Sequence, residues 1–294
     1  MARLNTHRFS WIKRASAASS ETWFETLAHL GPQRVLITEP AGARTALIQA
    51  LGLSRQEAES LRKSHGGAVR EARWLTALNP PQRAPIRIRG KLAVVSTKAE
   101  KVAAERAGKG PALWIPAGLA FGTGEHATTA MCLRHLADIA AALPPETWDF
   151  LDLGTGSAIL AMAARCLGAH RALGTDFDAV ALKTARENVR NNALSKIQLQ
   201  RSDVLAWKPP KTWPVIAANL FSGILIEAAP IITSALAPKG HLILSGILRE
   251  QETEVLRAFR KQGLRFLKIT RRGKWISARA TLALSSSAGR SAPR

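Results

Sequence analysis

The sequence predicts an α/β protein with a mostly parallel sheet and an antiparallel last strand, preceded by a small α+β region. Three observations predict it. From Trp114 onward, short apolar runs alternate with helical patterns. The run Phe150-Leu-Asp-Leu153 delivers the chain to a glycine turn, Gly154-Thr-Gly156, from which a helical pattern departs. The last two runs, Leu264–Arg271 and Trp275–Leu282, meet at Arg272-Gly-Lys274 as a hairpin would.

In chain order, Phe9–Lys13 reads as a strand, Glu21–Leu30 as a helix and Arg34–Thr38 as a strand. Arg44–Lys63 reads as a long helical pattern interrupted at Gly52-Leu-Ser54, with Ser54 able to cap a second helix. Val69–Leu75 is a further strand, and Asn79-Pro-Pro-Gln-Arg-Ala-Pro85 is a linker signal. Ile86–Val95 alternates like one strand, and Lys98–Gly110 is charged and loop-like. Thr128–Leu143 is an apolar helix stopped by Pro144-Pro145. After the glycine turn come a helix to Gly168, a strand at Ala172–Thr175 and a helix from Ala179 to Asn192 capped by Asp178. Strands at Ile197–Gln200 and Val215–Ala218, a helix at Ile224–Leu236, a strand at His241–Leu244 and an amphipathic helix at Glu250–Gln262 complete the pattern. The domain plan is therefore a small α+β unit at 1–80, a linker and strand at 81–113, a unit of repeated strands and helices at 114–284 and a disordered tail at 285–294.

Composition narrows the class. Hydrophobic residues make up 46% of the 294, enough for a packed core. No apolar run approaches the ~20 residues a membrane helix needs. The two cysteines, Cys132 and Cys166, have no metal or redox spacing and suit the core of a protein in a reducing cytoplasm. The Arg- and Ser-rich N-terminus also suits an organelle transit peptide. Net charge is +21, unevenly spread: residues 1–110 hold 19 basic and 8 acidic side chains, 111–248 hold 11 and 10, and 249–294 hold 12 and 3. Basic flanks around a near-neutral block suit a polyanionic partner such as RNA or a ribosome; an arginine-rich proteome would leave the same mark.

The chemistry concentrates between residues 115 and 220. Glycine at 154 and 156 lets a ligand approach backbone that a Cβ would shield. Asp176 ends the next strand, where an acid suits the two hydroxyls of a ribose. A dinucleotide site would place a third glycine where Ile159 stands, and Asp152 opens the turn with a charge unsuited to a pyrophosphate. Both details favour S-adenosylmethionine, whose methionyl end carries an ammonium and a carboxylate. Gly118-Leu-Ala-Phe121-Gly122-Thr-Gly-Glu-His126-Ala-Thr128-Thr129 can fold over such a ligand. There Thr128 or Thr129 offers a hydroxyl, Thr128 is a possible N-cap, and His126 is either a base or a loop hydrogen-bonder. Asn219 ends the fourth strand, where its carboxamide either orients a substrate amine or caps the next helix. Asp203 either reaches the adenine amino group or ends its strand.

These blocks resemble the bacterial methyltransferases, called PrmA, that modify ribosomal protein L-eleven. The resemblance runs through Leu119-Ala-Phe-Gly-Thr-Gly124 with His126 and Thr128-Thr129, then Asp152–Ala164, then Ala218-Asn219 to Leu244-Ser-Gly246-Ile-Leu248. It implies a Rossmann-like class I methyltransferase sheet and places Thr129, Gly154, Asp176 and Asn219 at cofactor-contacting positions, beside the candidates Phe121, Gly122, Asp152, Gly156 and Asp203. It also implies methyl transfer to lysine ε-amines or an N-terminal amine, on ribosomal protein L-eleven or the large ribosomal subunit. Two departures stand out: Glu125-His-Ala-Thr-Thr129 replaces the family's Thr-His-Pro-Thr-Thr, and Ala158 stands where a third glycine is frequent. An rRNA methyltransferase and a non-enzymatic ribosome-binding relic are the alternatives.

Overall fold

The computed structural model describes residues 9–16, 19, 22–23, 26–27, 30, 34–38, 45–71, 85–108, 110–116 and 126–283. The chain divides into two compact units, Met1–Gln82 and Arg83–Arg294.

In the first unit, strands β1 (Phe9–Ser16), β2 (Val35–Thr38), β3 (Thr45–Leu53) and β4 (Ala68–Glu71) form an antiparallel sheet in the order β2-β3-β1-β4. One helix, α1 (Arg55–His65), buries Ala58 and Leu61 against Trp11, Ile48 and Leu53. The expected long helix from Arg44 is corrected here. Its first half is β3, whose period-two burial places Ala46, Ile48 and Ala50 in the core. Alanine and leucine serve either periodicity, and pairing with β1 and β2 decides for a strand. Ser54 does cap the helix after it: its hydroxyl accepts Glu57 N while Glu57 accepts Ser54 N, a complete capping box. The expected helix at Glu21–Leu30 and the linker at Asn79–Pro85 lie largely outside the described residues.

The second unit opens with strands β5 (Ile86–Ile88), β6 (Leu92–Val95) and β7 (Ala112–Trp114). The single strand expected at Ile86–Val95 is a hairpin turning at Arg89-Gly90, both at positive φ. Lys98–Gly110 is not a loop: Lys98–Arg106 is a helix, α2, closed by a Thr97–Glu100 capping box. It buries no residue, which is why its polar sequence reads as a loop.

Strands β8 (Asp149–Leu153), β9 (Arg171–Asp176), β10 (Ile197–Arg201), β11 (Trp213–Asn219), β12 (Leu236–Leu248), β13 (Leu264–Arg272) and β14 (Trp275–Leu282) form the main sheet, ordered β10-β9-β8-β11-β12-β14-β13. Strands β8 to β12 are parallel, and only β14 runs against its neighbours. Helices α3 (Ala127–Ala140), α4 (Ile159–Cys166) and α5 (Ala179–Asn191) cover one face together with β5–β7. Helices α6 (Ser222–Ser234) and α7 (Glu252–Lys261) cover the other. Burial on both faces is why β11 is a nearly continuous apolar run up to Asn219. Asn192 ties the layers together: its Oδ1 accepts Trp114 N and its Nδ2 donates to Trp114 O, both at 2.8 Å. Among the described residues, no helix is long and apolar enough to cross a membrane.

Candidate active site

Successive strands diverge to opposite sides of β8, with β9 on one flank and β11 on the other. Such a switch point leaves a crevice at the C-terminal strand ends. Register fixes what lines it. Leu153 of β8 is level with Thr175 of β9 and Ala218 of β11, so the next residue on each strand is Gly154, Asp176 or Asn219.

The turn after β8 is braced from below. Thr155 Oγ1 donates to Asp152 Oδ2 at 2.6 Å and Ala161 N donates to the same oxygen at 3.3 Å. Asp152 is buried, and burial first, then the nearby Asp176 charge, pushes its carboxyl up to about 7 against the pull of those two hydrogen bonds. Asn188 of α5 holds the far end of the turn by donating to Ser157 O. Asp176 accepts from Gly156 N at 2.9 Å through Oδ2 and from Asp178 N at 3.0 Å through Oδ1. Both oxygens keep a further lone pair for an incoming hydroxyl.

Gly154 has φ +70°, and a methyl group there would collide with Leu220 Cδ2, the residue after Asn219. Ala158 takes the left-handed conformation at φ +64° as N-cap of α4. The turn therefore keeps its shape without the third glycine, at a cost of about 1 kcal/mol.

Asn219 does not cap α6. The N-cap is Phe221, without a side-chain cap bond, and the asparagine Oδ1 is buried with no hydrogen-bond partner among the described residues. Ser222 Oγ and Thr129 Oγ1 are buried and unpartnered in the same way. Sequence reading passes over Ser222; its place in the first turn after Asn219 is the only signal for it. Thr128 is not the N-cap of α3 either. His126 is, and its Nδ1 lies 2.7 Å from Thr128 Oγ1 while its ring meets the Trp275 edge. Burial first, then Lys274, holds the His126 imidazole below its usual range. Asp203 is exposed and its Oδ1 accepts Leu205 N, closing the turn after β10. Phe121 and Gly122 lie outside the described residues.

A sheet in this order, with only β14 antiparallel and a braced glycine turn beside an acid on the neighbouring strand at the switch point, is the Rossmann-like fold of class I methyltransferases. The crystal structure of a ribosomal protein L11 methylase from Lactobacillus delbrueckii subsp. bulgaricus is similar, with 30% identity and a TM-score of 0.59 over 68% of this chain and 99% of that one. The pattern of the ribosomal protein L11 methyltransferase (PrmA) family matches residues 33–282, and the chain belongs to that family. Relatives named ribosomal protein L11 methyltransferase include those of Geobacter metallireducens, 42% identical over 160 residues, and Heliobacterium modesticaldum, 38% identical over 164 residues. These alignments take in 54% and 55% of this chain and 50% of either relative, so the match spans about half their length.

Proposed function

We propose that the protein is an S-adenosylmethionine-dependent N-methyltransferase acting on lysine or N-terminal amines of ribosomal protein L11, free or in the large ribosomal subunit. The carrying observation is the buried, unpartnered Oδ1 of Asn219 at the end of β11, level with Gly154 and Asp176. A buried carbonyl without a donor costs about 1–3 kcal/mol, which an incoming N–H would recover.

The residues present fit the cofactor. Asp176 would take the ribose hydroxyls, Gly154 and Gly156 would let the ligand reach the backbone, and Thr129 would offer its unpartnered hydroxyl. Asp152 holds the turn from beneath, and Asp203 would meet the adenine edge with the lone pairs its turn leaves over. Phe121 and Gly122 complete the set by the family resemblance. Bound there, S-adenosylmethionine supplies a methyl group already activated on a cationic sulfur. Asn219 orients the acceptor amine through one N–H, aiming the nitrogen lone pair; alignment of this kind contributes several kcal/mol. It cannot take the proton. A lysine amine has an ordinary pKa near 10.4, and leaving bulk water beside a cation lowers it, so the amine arrives neutral and water carries the proton off. Residues 1–80 serve as the substrate-recognition unit and 114–284 as the methyltransferase unit. The cytoplasm, where ribosomal proteins meet the ribosome, is the proposed compartment.

The test is to incubate the full chain and radiolabelled S-adenosylmethionine with ribosomes and free ribosomal proteins from cells lacking this enzyme. Label is expected in L11, absent with Asp176→Ala and reduced about a hundredfold in kcat with Asn219→Ala, roughly the loss of one well-aimed polar contact. Label in RNA would replace this reading with rRNA methylation. No label together with no cofactor binding by calorimetry would leave a ribosome-binding relic.

A further inference from the structure

The basic edge of the main sheet plays no part in the site above. From Arg249 to Ala283 the chain carries ten basic and three acidic residues. On the α7 side Glu252 holds Arg271 in an ion pair. The other side of β13 differs. Arg265 lies opposite Thr281, Lys268 opposite Arg279 and Arg272 opposite Trp275, while Arg279 lies opposite Ile243 of β12, two residues from His241. This side faces α3: Lys268 Nζ is 3.5 Å from Asp138 Oδ2, and Trp275 meets His126 at the start of that helix. Arg265, Lys268 and Arg272 are exposed along β13, with Arg279 half-buried beside them. Asp138 is the carboxylate bonded there, and it also holds Arg89 at 2.9 Å.

Two buried nitrogens lie on the inner side of this patch. Arg279 Nε and His241 Nδ1 are buried with no hydrogen-bond partner among the described residues. An unpaired guanidinium nitrogen leaves the Arg279 charge uncompensated, so it adds to the field of the patch. The local field shows at His135 of α3, whose imidazole is pushed down to about 4, by burial first and then by Lys268 and Arg279.

We infer that this face of β13 and β14 docks the phosphodiester backbone of an RNA strand. Same-face positions recur every ~7 Å along an extended strand, so the cations form a column suited to a linear polyanion. Guanidinium groups pair with phosphate oxygens through two parallel N–H bonds. The patch lacks the apolar centre of a protein–protein interface, and its cations recur at strand spacing, which matches successive phosphates along a backbone better than a single base edge. Contact is therefore with the backbone and has little base preference. The inference stands apart from methyl transfer and does not rest on it. Cations on an edge strand also discourage strand pairing, and a loss of RNA affinity on their removal separates the two roles.

Fluorescence anisotropy of the full chain with a labelled, mixed-sequence single-stranded RNA tests this. The variant Arg265→Ala/Lys268→Ala/Arg272→Ala should bind at least ~10-fold more weakly near ~0.1 M salt, and its log–log salt slope should fall by about 2, from ~0.7 per phosphate released. Lys268→Arg should bind like the natural chain. Arg257→Ala/Arg260→Ala/Lys261→Ala, on α7, should also leave affinity unchanged. No RNA binding by the natural chain, an unaltered triple variant, an equal loss in the α7 variant, or equal affinity for polyglutamate would each overturn the inference.

Discussion

At the middle of the main sheet, β8, β9 and β11 run out onto glycine, aspartate and asparagine; at its edge, β13 runs out onto Arg271 and Arg272. Both regions use the same twisted sheet and burial favours the neutral form in each, yet the neighbouring charges differ in sign. In the middle, burial and a neighbouring carboxylate push Asp152 up to about 7. At the edge, burial and neighbouring cations push His135 down to about 4. The difference teaches how position in a sheet selects chemistry. Where helices part on either side of a central strand, a ligand meets backbone and short polar side chains. Where the sheet has no further strand, long cations keep their heads in water and project a field.

The largest expected effect breaks the middle. Asp176→Ala removes the acceptor for Gly156 N and Asp178 N and the proposed ribose contacts. Cofactor affinity by calorimetry should fall by two to three orders of magnitude, about 3–4 kcal/mol.

A second test concerns charge at the same place. Asp152 titrates near 7 when folded, against about 3.9 in an unfolded chain. The folded state then holds the proton more tightly, so this group's contribution is fullest below pH ~4 and is lost as pH rises through about 7. Asparagine at 152 can still accept from Thr155 and Ala161 but has no charge to bury. Between pH 5 and 8 the natural chain should lose on the order of 2 kcal/mol more urea stability than Asp152→Asn, within a ceiling of about 1.4 kcal/mol per pKa unit. Equal losses would mean the carboxyl is better hydrated than its burial implies.

Geometry is tested next. Gly246 follows Ser245, the β12 partner of Asn219, at φ +82°, and a methyl there would run into the Leu220 carbonyl. Gly246→Ala should cost about 1.5 kcal/mol and lower Tm by a few degrees, with a further loss of activity as Asn219 shifts. The smallest effect calibrates the rest. Thr97→Ala, in a capping box remote from both regions, should cost about 1 kcal/mol in urea unfolding and leave cofactor and RNA affinities unchanged.

Much of this was legible in advance because local and global signals agree. Strands β8 to β12, the turn at Gly154, the cap at Asp178 and the closing hairpin each carry a periodicity or a turn residue that permits one reading. Legibility failed where a segment's preference was ambiguous. The alanines and leucines of β3 suit helix or strand, and α2 rests on two capping bonds rather than an apolar stripe.

The sequence by itself determined the alternation of elements, the glycine turn, the position of Asp176 and the surplus of cations on the flanks, because these follow from residue type and spacing along one chain. Only the tertiary structure decided that Gly154, Asp176 and Asn219 stand level, that Asn219 is left unpartnered instead of capping α6, and that Arg265, Lys268 and Arg279 share one face. Those facts depend on strand order and register, which bring together residues tens of positions apart through pairings that no local pattern encodes.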